Sequence, residues 1–397
     1  MTERLDPGAA RWLLAFLLLL MLYGSLQPFQ LRPVDFATPF DLLRRLRWDA
    51  ATPGELFVNV LVYVPFGAVL AFALPASLGA AARIALATLA GCVLSSCIEV
   101  AQLFVVTRVA SLNDIATNSC GACLGCGAGV LARGLAQRLA DSGSLRITRE
   151  PAASALALLW LATFLPPWRM RFNPAGWPVE WARLLEAGWP AASVVALQAL
   201  GWLTAGLMLR AITRPQQVWP ALLALAAATL TVQFTWFVRF AGAEQLLGAL
   251  IALATWPLLQ RLPDRPLAAA LAGAVALTLA WRALAPFEFT AHPRALRLVP
   301  FQELVRHGGD VILPLLFAKL FRDGSLVWLL TRLGTRALPA GAITALLLLA
   351  IGVAQLWARP VHAPFTTTDP LLALAAALVM ALLGSPAAGA PRTQGGR

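Results

Sequence analysis

Long apolar runs alternate with short stretches rich in Pro, Gly and Arg along the chain. Each run is about 18 to 24 residues, which at 1.5 Å rise per residue matches a hydrocarbon core of roughly 30 Å. Run length and breakers predict about twelve helices, at 10–27, 56–75, 83–106, 114–137, 152–167, 189–211, 218–238, 242–260, 266–285, 310–330, 338–357 and 370–386. The run at 310–330 is the least regular, because Lys319, Arg322, Asp323 and Gly324 interrupt it. The first, Trp12 to Leu26 after Arg11, has the charged start and apolar body of a secretory signal. No small-x-small cleavage site follows it, so this helix is expected to be retained.

The runs are ordered in a repeating way. LYGSLQPFQLRPVDFATPFDLL, FLPPWRMRFNPAGWPVEWARLL and RALAPFEFTAHPRALRLVPFQELV each stop a helix at Pro plus an aromatic: Pro28-Phe29, Pro167-Trp168 and Pro286-Phe287. A Pro-punctuated loop and a short basic segment follow in each case. A second anchor keeps the same order: Gln102, Gln233 and Gln355 precede Arg108, Arg239 and Arg359, and an acid (Asp114, Glu244, Asp369) then opens the next helix. These anchors predict three four-helix units, at 1–145, 150–262 and 265–388, and a polar tail at 389–397.

Composition turns these helices into membrane spans. With 59% hydrophobic and 13% charged residues and a mean hydropathy of +0.73, the chain lies outside the range of soluble domains, and an all-α polytopic membrane protein is expected. In that setting Glu99, Gln102, Arg108, Asp114 and Asn118 are conspicuous, since an isolated carboxylate in hydrocarbon costs several kcal/mol. Helical spacing puts Ser95, Ser96, Glu99 and Gln102 on one face of the third run. It puts Asp114, Asn118, Gly121 and Gly125 on one face of the fourth, with the glycine pair allowing close helix approach. The two stripes are expected to meet, with Arg108 or a nearby amide as partner of Glu99.

Blander readings stand beside this one. Asp114 in SLND suits a helix start, and Asn59 in NVLVYVPFGAVL suits a hydrogen bond between helices. Taken together the polar groups read as a ligand or path site: Asn59, Glu99, Gln102, Arg108, Asp114 and Asn118, with Pro65, Gly67, Gly121 and Gly125 as packing positions. At the matching positions of the later units Glu99 becomes Leu230 and Gly352, and Asn118 becomes Ala373. Asn59 aligns with Gln198, and with Asp310 only across a shortened loop. The first unit is therefore expected to be the active one.

Charge and cysteines narrow the partners. The net charge of +12 is spread between runs and carried almost wholly by Arg, which suits topology and head groups and argues against nucleic acid. Cys92, Cys97, Cys120, Cys123 and Cys126 lie on two adjacent runs. C-x-x-C-x-x-C from Cys120 has neither a fourth ligand nor a wrapping loop, so helix packing is expected rather than a metal or redox centre, and no cofactor is implied. His292, His307 and His362 fall in loops of the last unit, and no nucleophile motif accompanies them.

YGSLQPF, NVLVYVPFG, IEVAQLF…R and DIATNSCGACLG, in this order within residues 12–138, resemble the four blocks of the VanZ-like domain of bacterial membrane proteins. The resemblance places characteristic family positions on Ser25, Pro28, Asn59, Pro65, Gly67, Glu99, Gln102, Arg108, Asp114, Asn118, Gly121 and Gly125. It implies a multi-pass protein of the cell envelope and bacterial inner membrane, and a link to resistance to the glycopeptide teicoplanin. The expected partner is a membrane lipid, anionic or a polyprenyl-phosphate-linked precursor, with Arg108 gripping phosphate. The alternatives are a multi-span transporter or flippase and, more weakly, an enzyme acting on lipid phosphates. Arg counting leans toward cytoplasmic termini, which turns Arg44-Arg45-Arg47, Arg183 and Arg294-Arg297-Arg306 outward to lie along head groups.

Overall fold

The structure is a computed structural model, which describes residues 7–26, 29–49, 51, 53–75, 77–142, 150–164, 178, 182, 188–236, 242–294, 309–358 and 367–383. Pro28, Pro167, Trp168, Arg183, Arg239, Arg297, Arg306, His307, Arg359, His362, the side chains of Gln233 and Asp310, and the 389–397 tail lie outside the described residues.

Among the described residues every named element is α-helical. In chain order they are α1 (Pro7–Leu26), α2 (Pro39–Leu43), α3 (Pro53–Ala73), α4 (Ala80–Gln102), α5 (Leu112–Ser142), α6 (Pro151–Ala162), α7 (Ala192–Ile212), α8 (Pro215–Trp236), α9 (Ala243–Leu259), α10 (Asp264–Leu284), α11 (Gly309–Arg332), α12 (Ala337–Gln355) and α13 (Thr368–Leu382). Each expected apolar run meets a helix, and α2 is an addition to them. Among the described residues six helices are long and apolar enough to cross a membrane: α3, α4, α5, α7, α10 and α12. Helix α6, with 12 residues, reaches only about 18 Å. Helix α11 is long but carries Lys319, Arg322 and Asp323 in its middle.

The chain divides into two compact units, Met1–Ser142 and Gly143–Arg397. In the first, α3 and α5 make the closest contact, and the glycines explain it. A Cβ on Gly121 would stand 2.1 Å from the Val60 carbonyl oxygen, one on Gly125 2.0 Å from that of Val64, and one on Gly67 2.1 Å from that of Ala122. Backbone therefore lies on backbone, as small residues permit between membrane helices. The expected partner of the Gly121–Gly125 stripe was the preceding helix α4; it is α3, because the face of α5 carrying these glycines turns toward Val60 and Val64. Helix α4 meets α5 one register round, where Gly91 leaves room for the Ala122 methyl. Pro65 sits inside α3 but is exposed, so it does not serve the packing role expected of it. Of the cysteines on α5 only Cys126 is buried, while Cys120 is exposed and Cys123 intermediate. Packing between helices thus falls to one of the three.

In the second unit, helices α6 to α13 share one core. Trp160 on α6 packs edge-on against Trp202 of α7 at 4.5 Å and lies 6.3 Å from Phe321 of α11. Trp256 of α9 fills the space left by Gly206 of α7. At one end Arg332 bridges Glu150 and Asp264, both at 3.2 Å, and Arg210 also binds Asp264, at 3.0 Å.

One turn occurs twice. Phe29 and Phe287 both adopt the left-handed region, with φ of 61° and 66°. After each, the chain runs antiparallel to the segment that follows a long helix, pairing Leu31 with Val105 and Phe289 with Ala358. An arginine secures each pairing: Arg32 Nε donates to Leu103 O at 2.9 Å, and Arg294 Nη2 to Gln355 O and Ala358 O at 2.8 Å.

Candidate functional site

The polar residues of the first unit collect at the end where α1, α3, α4 and α5 meet the loops 29–49 and 103–111. Glu99, in the last turn of α4, is 2% exposed. Its Oε2 accepts the Ser111 backbone N–H at 2.8 Å, so a nearby amide does bind it. Arg108 is half-buried, and its Nη2 donates to Gly24 O at 2.8 Å, tying the loop to the end of α1. Its charge remains within electrostatic range of both Glu99 and Asp114. Gln102 Nε2 donates to Ser25 O at 3.1 Å, a second tie to α1.

Asp114 accepts the Asn59 amide at 2.7 Å, joining α5 to α3. The capping role open to Asp114 belongs instead to Ser111, whose Oγ accepts the Asn113 N–H at 3.1 Å. One turn deeper, Asn118 Nδ2 donates to Ser95 Oγ at 2.8 Å, joining α5 to α4. Ser95, Glu99, Gln102 and Asn118 are all buried. The structure thus gathers Asn59, Glu99, Gln102, Arg108, Asp114 and Asn118 at one end, but shares them among separate hydrogen bonds to three neighbouring elements. Ser96 turns away and donates to Cys92 O on its own helix.

Sequence reasoning missed four residues here. Ser111 Oγ donates to Asp49 Oδ1 at 2.5 Å, and Asn113 Nδ2 donates to Asp49 O at 2.6 Å and to its Oδ1 at 3.2 Å. Together with a parallel pairing of Arg47 and Ser111, these bonds clip the loop ahead of α3 to the start of α5. The Ser111 hydroxyl holds the Asp49 carboxyl below the usual carboxylate range, outweighing the opposing effect of burial, and the Asn113 amide adds a smaller contribution. The fourth is Tyr63, 3% exposed, whose hydroxyl has no hydrogen-bond partner. Tyr63 was legible as Asn59 plus one helical turn; Asp49 lies in a loop that no periodicity marks.

The outer side of this end is basic and aromatic. Helix α2 is started by Thr38, whose N–H and hydroxyl both donate to Asp41, and Pro39 occupies its first turn. Those two bonds hold the Asp41 carboxyl below its usual range. Leu42 and Leu46, four residues apart, are buried, which leaves Arg44, Arg45 and Arg47 outside beside Phe40 and Trp48, 71% and 68% exposed. Arg45 donates to Asp35 O. In the second unit an open groove is lined by Arg210, Trp219, Trp256, Gln260 and Arg261, none of which belongs to the expected site.

No curated protein and no solved structure matches the chain. Residues 12–133 match the model of the family described as VanZ/LLP1, and every residue of the expected polar site lies within them. The first unit thus contains the segment similar to this family, and three of its helices, α3, α4 and α5, are long and apolar enough to cross a membrane.

Proposed function

We propose that the first unit is a non-enzymatic binding domain of the bacterial inner membrane that engages anionic lipid, including polyprenyl-phosphate-linked precursors, along its basic and aromatic edge. The observation that carries this reading is the segment around α2. Two buried leucines fasten it, and Arg44, Arg45 and Arg47 are exposed on it together with Phe40 and Trp48. Aromatic rings favour the head-group level, and an arginine stem lies along apolar surface while its guanidinium reaches phosphate. Arg32 and Arg108 add two guanidinium groups at the same loop end, positioned by bonds to the Leu103 and Gly24 carbonyls. Termini in the cytoplasm place this edge outward, where single-cysteine accessibility labelling checks it.

The test is retention of phosphatidylglycerol or polyprenyl phosphate by purified protein. Arg44, Arg45 and Arg47 replaced together by Gln should weaken it by roughly 1 kcal/mol per arginine. Arg108→Ala should lower retention as well. Unchanged lipid in all these folded variants rejects the reading. Proton-driven uptake in proteoliposomes, lost in Glu99→Gln, would assign a transporter in its place. Altered teicoplanin susceptibility on gene deletion would extend the reading to resistance.

We also read the chain as three copies of one four-helix unit, with α10–α13 the better preserved of the later two. The repeated Phe29 and Phe287 turn supports it, as does Gly341 of α12 receiving the Ala377 methyl as Gly91 receives that of Ala122. For the middle copy, support comes from Gly248 of α9 lying against Gln198 of α7. In the last copy Lys319 reaches Asp369, as Asn59 reaches Asp114, so Lys319 rather than Asp310 is the counterpart of Asn59.

A further inference from the structure

Three helices of the first unit each give the polar end two side chains one turn apart: Asn59 and Tyr63 from α3, Ser95 and Glu99 from α4, Asp114 and Asn118 from α5. The outer layer is Asn59, Glu99 and Asp114, and the inner layer Tyr63, Ser95 and Asn118. We propose that a small monovalent inorganic cation, an alkali ion, binds between these layers.

Charge is the first reason. Glu99 and Asp114 lie within electrostatic range of each other, two like charges at one end of the helices, and the Arg108 guanidinium that reaches both by its charge donates to the Gly24 carbonyl. Asp49 and Glu55 add to the same sign from the exposed rim. An uncompensated carboxylate at 2% exposure is costly. The second reason is the Tyr63 hydroxyl. It is buried and unpartnered, stands beside Ser95 outside hydrogen-bonding geometry, and lies within electrostatic range of both carboxylates. A buried polar group of this kind ordinarily has a partner. A proton on Glu99 would cancel the charge but leave that oxygen unsatisfied, whereas an ion between the layers answers both.

Donor chemistry sets the class. The side chains facing the column offer carboxylate, amide and hydroxyl oxygen, which suit hard cations. Among the described residues no three His, Cys, Asp or Glu gather as a metal centre of higher charge would ask. The site uses none of the α2 arginines and has only the Arg108 charge in common with the basic lipid edge.

The experiment is thermal unfolding of the full chain in detergent without added lipid, at one ionic strength, in sodium, potassium or choline chloride. Sodium or potassium is expected to raise the midpoint in a saturable way while choline does not. Tyr63→Phe, which deletes one oxygen and keeps the ring, should weaken apparent affinity about fivefold. Glu99→Gln should abolish the response. Equal midpoints in all three salts overturn the proposal, as does an unchanged cation response in a folded Tyr63→Phe. Lipid retention measured on the same preparations keeps the two readings separable.

Discussion

Glycine is the residue on which the first unit turns. An alanine at 125 would push its methyl to 2.0 Å from the Val64 carbonyl oxygen, whereas one at 127 would meet nothing within 4 Å. Gly125→Ala is therefore expected to destabilise by about 1 to 3 kcal/mol through forced separation of α3 and α5. Gly127→Ala should be neutral or slightly stabilising, because alanine is the better helix former. Thermal unfolding in detergent compares the two, and equal midpoints would show that the helices part freely. Asp49 supplies a pH dependence. Its carboxyl titrates lower folded than unfolded, so the clip to Ser111 and Asn113 contributes above the unfolded value of about 4 and is lost as pH falls through the folded one. Amide exchange at Asn113 should rise on acidification below about pH 4, and Asp49→Asn should remove that step. The glycine pair was legible from its four-residue spacing. Its partner was not, because spacing names a face of one helix and is silent about which neighbour that face meets.

Helices α3, α4 and α5 are joined by single polar bonds rather than by one shared cluster. Asn59 to Asp114 links α3 with α5, and Asn118 to Ser95 links α5 with α4. The i, i+4 periodicity announced each stripe, and for that reason Glu99, Asp114 and Asn118 could be placed at one end before any coordinates. Ser111 and Asp49 could not, since they act through a backbone N–H and a loop carbonyl that no side-chain pattern encodes. Helix-to-helix bonds of this kind average about 0.6 and reach about 1.7 kcal/mol in membrane proteins. A double-mutant cycle on Asn59→Leu and Asp114→Asn is expected to return a coupling in that range. A coupling near zero would mean that the two side chains meet without stabilising the α3–α5 pair.

At the scale of the whole chain, the second unit holds a buried charge cluster of its own. Lys319 and Arg322 of α11 stand at 2.6 and 3.1 Å from the carboxylate of Asp369, which opens α13 as Asp114 opens α5. Arg322 also holds Asp323 at 2.7 Å, and the Asp323 side chain is wholly buried. Two cations and two anions thus face one another on α11 and α13. Such a set fits a structural role, because each charge already has a partner of opposite sign on α11 or α13. It also explains why the run at 310–330 looked least like a span in sequence: charges that disrupt the apolar pattern cancel only once α13 is in place. Removing one member leaves a buried charge alone, which costs about 3 to 5 kcal/mol, more than replacing a pair together. Arg322→Leu is accordingly expected to lower the midpoint of thermal unfolding sharply, since Asp323 would be stranded at 0% exposure. Adding Asp323→Asn to that variant should restore much of the loss by deleting the stranded charge. If the double variant is no more stable than the single one, the cluster does not hold these helices by charge pairing, and its role lies in something the first unit shares.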